Sequence, residues 1–210
     1  MSSIKDKWGL FSIIVFIASM LVMISWFITE LHGEQEYRHM IRVSVRTAWP
    51  LLMIVFVASS LVRLKPGKSS AWLLRNRKYI GLAFSAVMLW QILFIVLLIS
   101  TGANIFPPGP AALFIVSDSI GYTLLLLMTI TSFDKFKHRL SPTAWKRLHK
   151  IGIYYISAIY LYSFPIGIYF SRNNSTEVAG YSLLFFLTLT AGAIRVVAWR
   201  KENQKFFTNM

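Results

Sequence analysis

The sequence predicts an all-α integral membrane protein, a bundle of six transmembrane helices with both termini in the cytoplasm. Three observations carry that expectation. Apolar stretches about one bilayer long recur through the 210 residues, basic residues fall in alternate segments between them, and tryptophans mark the segment ends. With 56% hydrophobic and only 14% charged residues, the chain is too apolar to cover a water-soluble surface.

Crossing about 30 Å of hydrocarbon takes roughly 20 apolar residues. The first such stretch, 8–29, holds no charge, is too long for a signal-peptide core and precedes no small-residue cleavage site, so it reads as a retained signal anchor. The second, 45–63, has a charge-free core of only 16 residues between Arg46 and Arg63, whose long stems can snorkel and extend it. From Tyr79 to Ser117 there is no charge and room for two spans. Thr101-Gly102-Ala103-Asn104 and Pro107-Pro108-Gly109-Pro110 break that region with a turn, giving spans at 79–100 and 111–133. The fifth span, 149–171, contains Pro165, and the sixth, 178–199, ends on Arg195 and Arg200.

Orientation follows from the lysines and arginines, which concentrate in cytoplasmic segments. Eighteen of the 22 lie in the N-terminal segment, the basic loops 63–78 and 134–150, and the stretch from Arg195 onward. The other side holds only Arg38, Arg42, Arg46 and Arg172. This places both termini inside a cell inner (plasma) membrane. Trp8, Trp72, Trp145 and Trp199 then fall near the inner boundary and Trp26 and Trp49 near the outer one, as an interfacial aromatic belt requires. The formal charge of +14 is thereby explained by topology and anionic headgroups, and nucleic acid is not needed as a partner.

The chain has no cysteine, which excludes disulfides, thiolate zinc sites and cysteine-ligated iron–sulfur clusters. It also has no phosphate-cradling glycine loop, GxSxG elbow or HExxH pair, and no soluble domain long enough for a flavin or nucleotide. Any electron donor is therefore another protein or a lipid-soluble carrier such as a quinol.

Among the histidines, only His149 stands where a span begins. It reads either as an interfacial side chain or as a ligand of heme iron. His32 and His39 share the first external loop with Glu30, Glu34 and Glu36, which reads as a solvated polar loop before a divalent-metal site because no fixed ligand spacing supports the latter. His138 reads as a solvated cytoplasmic residue. Asp118 interrupts the fourth span roughly 10 Å from its outer end. An intramembrane carboxylate is either a proton carrier or a hydrogen-bonded structural group, and Ser117, Ser119 and Tyr122 are near enough in sequence to hydrate it.

Three segments, VRTAWPLLMIVFVASSLVRL from Val45, LLRNRKYIGLAF, and TSFDKFKHRLSPTAWKRLHKIGIYY, resemble the ferric-reductase-like transmembrane family. Within it they are most similar to the heme-binding membrane subunits of bacterial methionine sulfoxide reductase systems. The resemblance covers most of the six spans in order. Its most specific parts are the basic pair and Gly-Leu at Arg77 to Leu82 and the Trp-x-x-x-His run at Trp145 to His149. It implies b-type heme held by histidines of the third and fifth spans, and transmembrane electron transfer. Carried over residue by residue, His149 matches, but the ligand position on the third span is Gln91 and the second one on the fifth span is Tyr162.

An amide ligates iron poorly and a phenol only as phenolate. Both replaced positions lie 13 residues past the start of their helices, at the same expected depth. The outer heme is thus expected to be absent, and one heme b at most remains, on His149. Three functions follow as expectations. The first is an electron-transfer subunit, an oxidoreductase component without its own flavin or nucleotide site that serves a redox partner. The second is a heme-less scaffold or assembly partner of another membrane protein, and the third a small transporter using Asp118.

Overall fold

The structure, a computed structural model, describes residues 4–103 and 111–208. Seven helices account for nearly all of them, and no strand occurs among the described residues. They are α1 (Ile4–Ile28), α2 (Glu34–Leu64), α3 (Lys68–Ser100), α4 (Ala111–Ile130), α5 (Asp134–Lys137), α6 (Pro142–Phe170) and α7 (Ser175–Thr208). Five are long and apolar enough to cross a membrane: α1, α2, α3, α6 and α7. The helix expected as the fourth span is α4, whose apolar part runs over Phe114–Ile130. Of the turn expected before it, Gly102 adopts a positive φ of 76° just past α3, a conformation glycine takes without Cβ strain. Asn104 and the Pro107 to Pro110 run lie outside the described residues.

Helix runs through much of the segments expected to connect the spans. The connection between α1 and α2 is short, because α2 begins at Glu34 and carries Glu36, Arg38, His39, Arg42 and Arg46 on its own turns. No glycine or proline interrupts Glu34 to Trp49. Met40, Ser44 and Ala48 recur four residues apart as a buried stripe, which is what makes this polar segment helical. Glu34 and Glu36 sit in the first turn, where the helix dipole favours anions, and Glu34 pairs with Arg38 at 2.7 Å. The basic loops are likewise mostly helix. Only residues 65–67 separate α2 from α3, and the Ser70 hydroxyl closes that connection by accepting from Gly67 N at 3.1 Å and donating to Lys65 O at 2.9 Å. In 134–150, α5 is followed by α6, which starts with Ser141 as N-cap, its hydroxyl accepting from Ala144 N at 3.2 Å, and Pro142 in the first turn.

The chain divides into two compact units. Unit 1 comprises Met1–Leu52 and Lys78–Lys137, and unit 2 comprises Met53–Arg77 and His138–Met210. In unit 1 the core gathers Val22, Met40 and Phe94, with Trp26, Tyr37, Ile41, Trp90 and Leu97 packed around them. Trp26 meets Phe94 edge-on at 5.3 Å and donates its indole N–H to Glu36. Trp90 donates to Ser19 Oγ at 3.0 Å, and Thr129 to Ser85 Oγ at 2.8 Å. At the opposite end of α1, Trp8 lies against Tyr79 (5.3 Å) and Phe133 (6.3 Å), and Lys78 pairs with Asp134 at 3.4 Å. The start of α1 thus adjoins the start of the unit 1 part of α3 and the end of α4, whereas the end of α1 adjoins the start of α2. Successive helices in this unit alternate in direction, as a serpentine membrane path demands.

Unit 2 is organised by α6 and α7, an antiparallel pair joined by residues 171–174. Asn174 Oδ1 caps α7 by accepting from Glu177 N at 3.2 Å. The buried face of α6 is Gly152, Ile153, Ile156, Ser157, Tyr160 and Phe164, spaced at helical period. Near the far end of α6 the helices approach so closely that a Cβ on Gly167 would lie 2.8 Å from the Tyr181 ring. Gly167→Ala is expected to destabilise the protein by about 1–3 kcal/mol through overpacking, and Tyr181→Ala in the same chain to recover part of the loss. Thermal unfolding in detergent of the single and double variants checks this.

Candidate functional site

The basic end of unit 2 brings together side chains from all four of its helical segments. His149 lies in the second turn of α6, half-buried, with its imidazole 4.3 Å from the Trp145 ring, centroid to centroid. The pair is one helical turn apart, so the stacking follows from i,i+4 geometry. Arg77, from the first part of α3, is close enough to act electrostatically on His149, and Arg195 of α7 acts in turn on Arg77. The two most specific segments of the family resemblance, 72 residues apart in sequence, thus each contribute a residue to this unit, Arg77 and His149.

Arg195 is the most thoroughly held of these groups. Its Nη1 donates to Phe56 O on α2 at 2.9 Å, and its guanidinium lies 4.5 Å from the Phe56 ring centroid and 4.4 Å from that of Tyr154 on α6. The two rings themselves meet edge-on at 5.6 Å. One planar cation thus joins α2, α6 and α7, using the weakly hydrated guanidinium and the negative faces of the rings. Seven residues along α7, Glu202 pairs with Arg63 of α2. In the sequence Arg195 counts only as a topology charge at the end of the sixth span. Its position between Ile194 and Val196-Val197 is the signal that marks it, since an arginine within an apolar run needs a partner.

The other expected site residues are placed elsewhere. Gln91 falls on the buried stripe of α3 with Val87, Phe94 and Leu98, and its Oε1 is buried without a hydrogen-bond partner among the described residues. Tyr162 is half-buried on α6. Gln91 belongs to unit 1 and Tyr162 to unit 2. Asp118 is half-buried on α4, one turn before Tyr122, on which it acts electrostatically; the Tyr122 hydroxyl is itself buried and makes no hydrogen bond among the described residues. In the segment around the start of α2, His32 is exposed, His39 is half-buried on α2, and Glu34 and Glu36 are engaged by Arg38 and Trp26. Among the described residues no group of three or more histidines and acids is arranged to hold a metal ion. His138 is exposed between α5 and α6.

The fold and the apolar faces define an all-α protein with several helices able to span a bilayer. Set against protein families, curated proteins and solved structures, the chain matches none.

Loss of the Arg195 contacts removes a charge-assisted hydrogen bond and two cation–π faces. Arg195→Ala is expected to lower stability by about 2 kcal/mol or more, with Arg195→Lys recovering only part because a lysine cannot stack as a plane. Chemical or thermal unfolding of the two variants side by side measures the difference.

Proposed function

We propose that the chain is a membrane-embedded electron-transfer subunit of ferric-reductase-like type, with six spans, both termini cytoplasmic, and one b-type heme at most. Arg77 and His149, from the two most specific segments of the family resemblance, both belong to unit 2, near the starts of α3 and α6, and this supports the reading. At 20 residues, α4 rises about 30 Å and is long enough to serve as the fourth span and so complete the six.

The donor set decides how much heme the chain suits. Gln91 and Tyr162 do not fit an iron site, so no step is routed through an outer heme. His149 does fit, as a neutral-donor imidazole on a helix whose ring plane Trp145 helps to fix. A heme there supplies one-electron transfer between a partner or quinol and an acceptor. The residues of this chain do the rest: His149 presents a ring nitrogen, Trp145 orients the imidazole, and Arg195 ties α7 and α2 to the helix that carries both.

A second reading is favoured by Gln91. Its buried carbonyl oxygen makes no hydrogen bond among the described residues and stands where the resembled family keeps a heme ligand, which suits a heme-less scaffold for another membrane protein. An absorption spectrum separates the two. Protein expressed with ample heme is expected to show a Soret band that His149→Ala abolishes and that Gln91→Ala and Tyr162→Phe leave unchanged. No Soret band in the unaltered protein would sink the electron-transfer reading in favour of the scaffold.

A further inference from the structure

On the first half of α2, Arg38, Arg42 and Arg46 stand four residues apart and so share one face, each about 6 Å further along the axis than the last. All three are half-buried. Contacts within unit 1 fix their depth. Trp26 of α1 donates to Glu36 of α2, and Val22 and Met40 share one buried cluster. α1 and α2 therefore run side by side in opposite directions, with Arg42 about level with Met20 and Arg46 with Phe16. Met20 is eight residues, about 12 Å, inside the end of α1, a helix apolar enough to cross a membrane. A column of guanidiniums thus descends alongside an apolar span, where a charge is costly and needs a partner.

Arg38 has such a partner: Glu34 accepts from its Nε at 2.8 Å and lies 2.7 Å from its Nη2. Arg42 differs. Its Nε is buried without a hydrogen bond, and among the described residues Arg42 makes no ion pair. Two nearby candidates are taken, Glu34 by Arg38 and Glu36 by Trp26, while Asp134 pairs with Lys78 at the other end of the unit. A guanidinium cannot shed its proton, so the charge of Arg42 stays and calls for an anion.

We propose that Arg42, flanked by Arg38 and Arg46, binds a phosphate group at this end of unit 1. An arginine on a helix reaches toward the helix start, as Arg38 does to Glu34, and a stem of that length carries the Arg42 guanidinium about one turn nearer the membrane surface than its own backbone. A phosphate entering from the headgroup level is then within its reach. Phosphate has oxygens enough to take both N–H groups of one guanidinium edge and still face a second arginine one turn away, whereas one fork uses both oxygens of a carboxylate. The phosphate belongs either to a phospholipid headgroup or to a free ion, and the chemistry at Arg42 is the same. The site depends neither on whether His149 binds iron nor on which side of the membrane this end occupies.

The whole protein, delipidated in neutral detergent, is titrated separately with phosphatidylglycerol and with inorganic phosphate. The unaltered chain is compared with Arg42→Gln, Arg42→Lys and Arg172→Gln, the last removing one positive charge from an exposed arginine of unit 2. Affinity is expected to fall about ten-fold in Arg42→Gln, by less in Arg42→Lys, and not at all in Arg172→Gln. Ligand is expected to raise the thermal transition of the unaltered protein and leave that of Arg42→Gln unmoved. Arg42-dependent binding of phosphatidylglycerol alone identifies a headgroup as the source, and of inorganic phosphate alone a free ion; binding of both fits a headgroup site open to solvent. Equal loss in Arg42→Gln and Arg172→Gln, or none in either, overturns the site in favour of diffuse attraction. If Arg42→Gln does not fold, Arg42→Lys decides: weakened binding supports the site and unchanged binding overturns it.

Discussion

A peptide N–H or C=O left unpaired in hydrocarbon costs several kcal/mol, so a chain this apolar is driven to bond its backbone within each segment. Helix is the form that does this without a partner strand. The consequence extends beyond the bilayer: once a helix is nucleated by the apolar stretch, each residue added at its end gains one hydrogen bond for one residue fixed, whereas the first bond required three. This is why α2, α3, α6 and α7, at 31, 33, 29 and 34 residues, exceed the length that hydrocarbon alone would require. The polar and basic extensions so formed carry Glu36 to Trp26, Arg77 to His149 and Glu202 to Arg63. Side chains that a loop would scatter are held at fixed heights by the same backbone bonding that the lipid imposes.

The two units use different interactions for the remainder of their stability. Unit 1 is closed by aliphatic and aromatic contacts, Val22, Met40 and Phe94 at one end and Trp8, Tyr79 and Phe133 at the other, with six of the eight acids available to balance its eight basic residues. Unit 2 is closed by the tight α6–α7 approach at Gly167 and by Arg195 between Phe56 and Tyr154. Unit 2 also holds His149, on which the proposed redox reading rests.

The helices were legible in the sequence because their cause is local: apolar length, and the break at Gly102. Their ends were less so. Reading each charge as the end of a span marks where lipid stops, and helix continues past those marks in α2, α3 and α6. Ser141 before Pro142 is a capping signal that places the start of α6 well ahead of His149, and the glycine-free run from Glu34 to Trp49 could likewise have marked α2. The stacking of Trp145 on His149 follows from spacing on one helix. Arg195 with Phe56, 139 residues away, and Gly167 with Tyr181 on the next helix depend on packing that no local pattern encodes. The interest of Gln91 and Tyr162 comes only from the family resemblance, since neither residue is unusual by itself in an apolar helix.

Because the chain lacks cysteine, single cysteines report topology without background. Labelling intact cells with a membrane-impermeant maleimide after Gln35→Cys, Gly67→Cys, Thr143→Cys or Asn173→Cys measures directly which connections face out. The account predicts that positions 35 and 173 react in intact cells and that 67 and 143 react only after permeabilisation. Reaction of 67 together with 35, or of 143 together with 173, would contradict the six-span, cytoplasmic-termini arrangement on which the inner placement of Arg77, His149 and Arg195 rests.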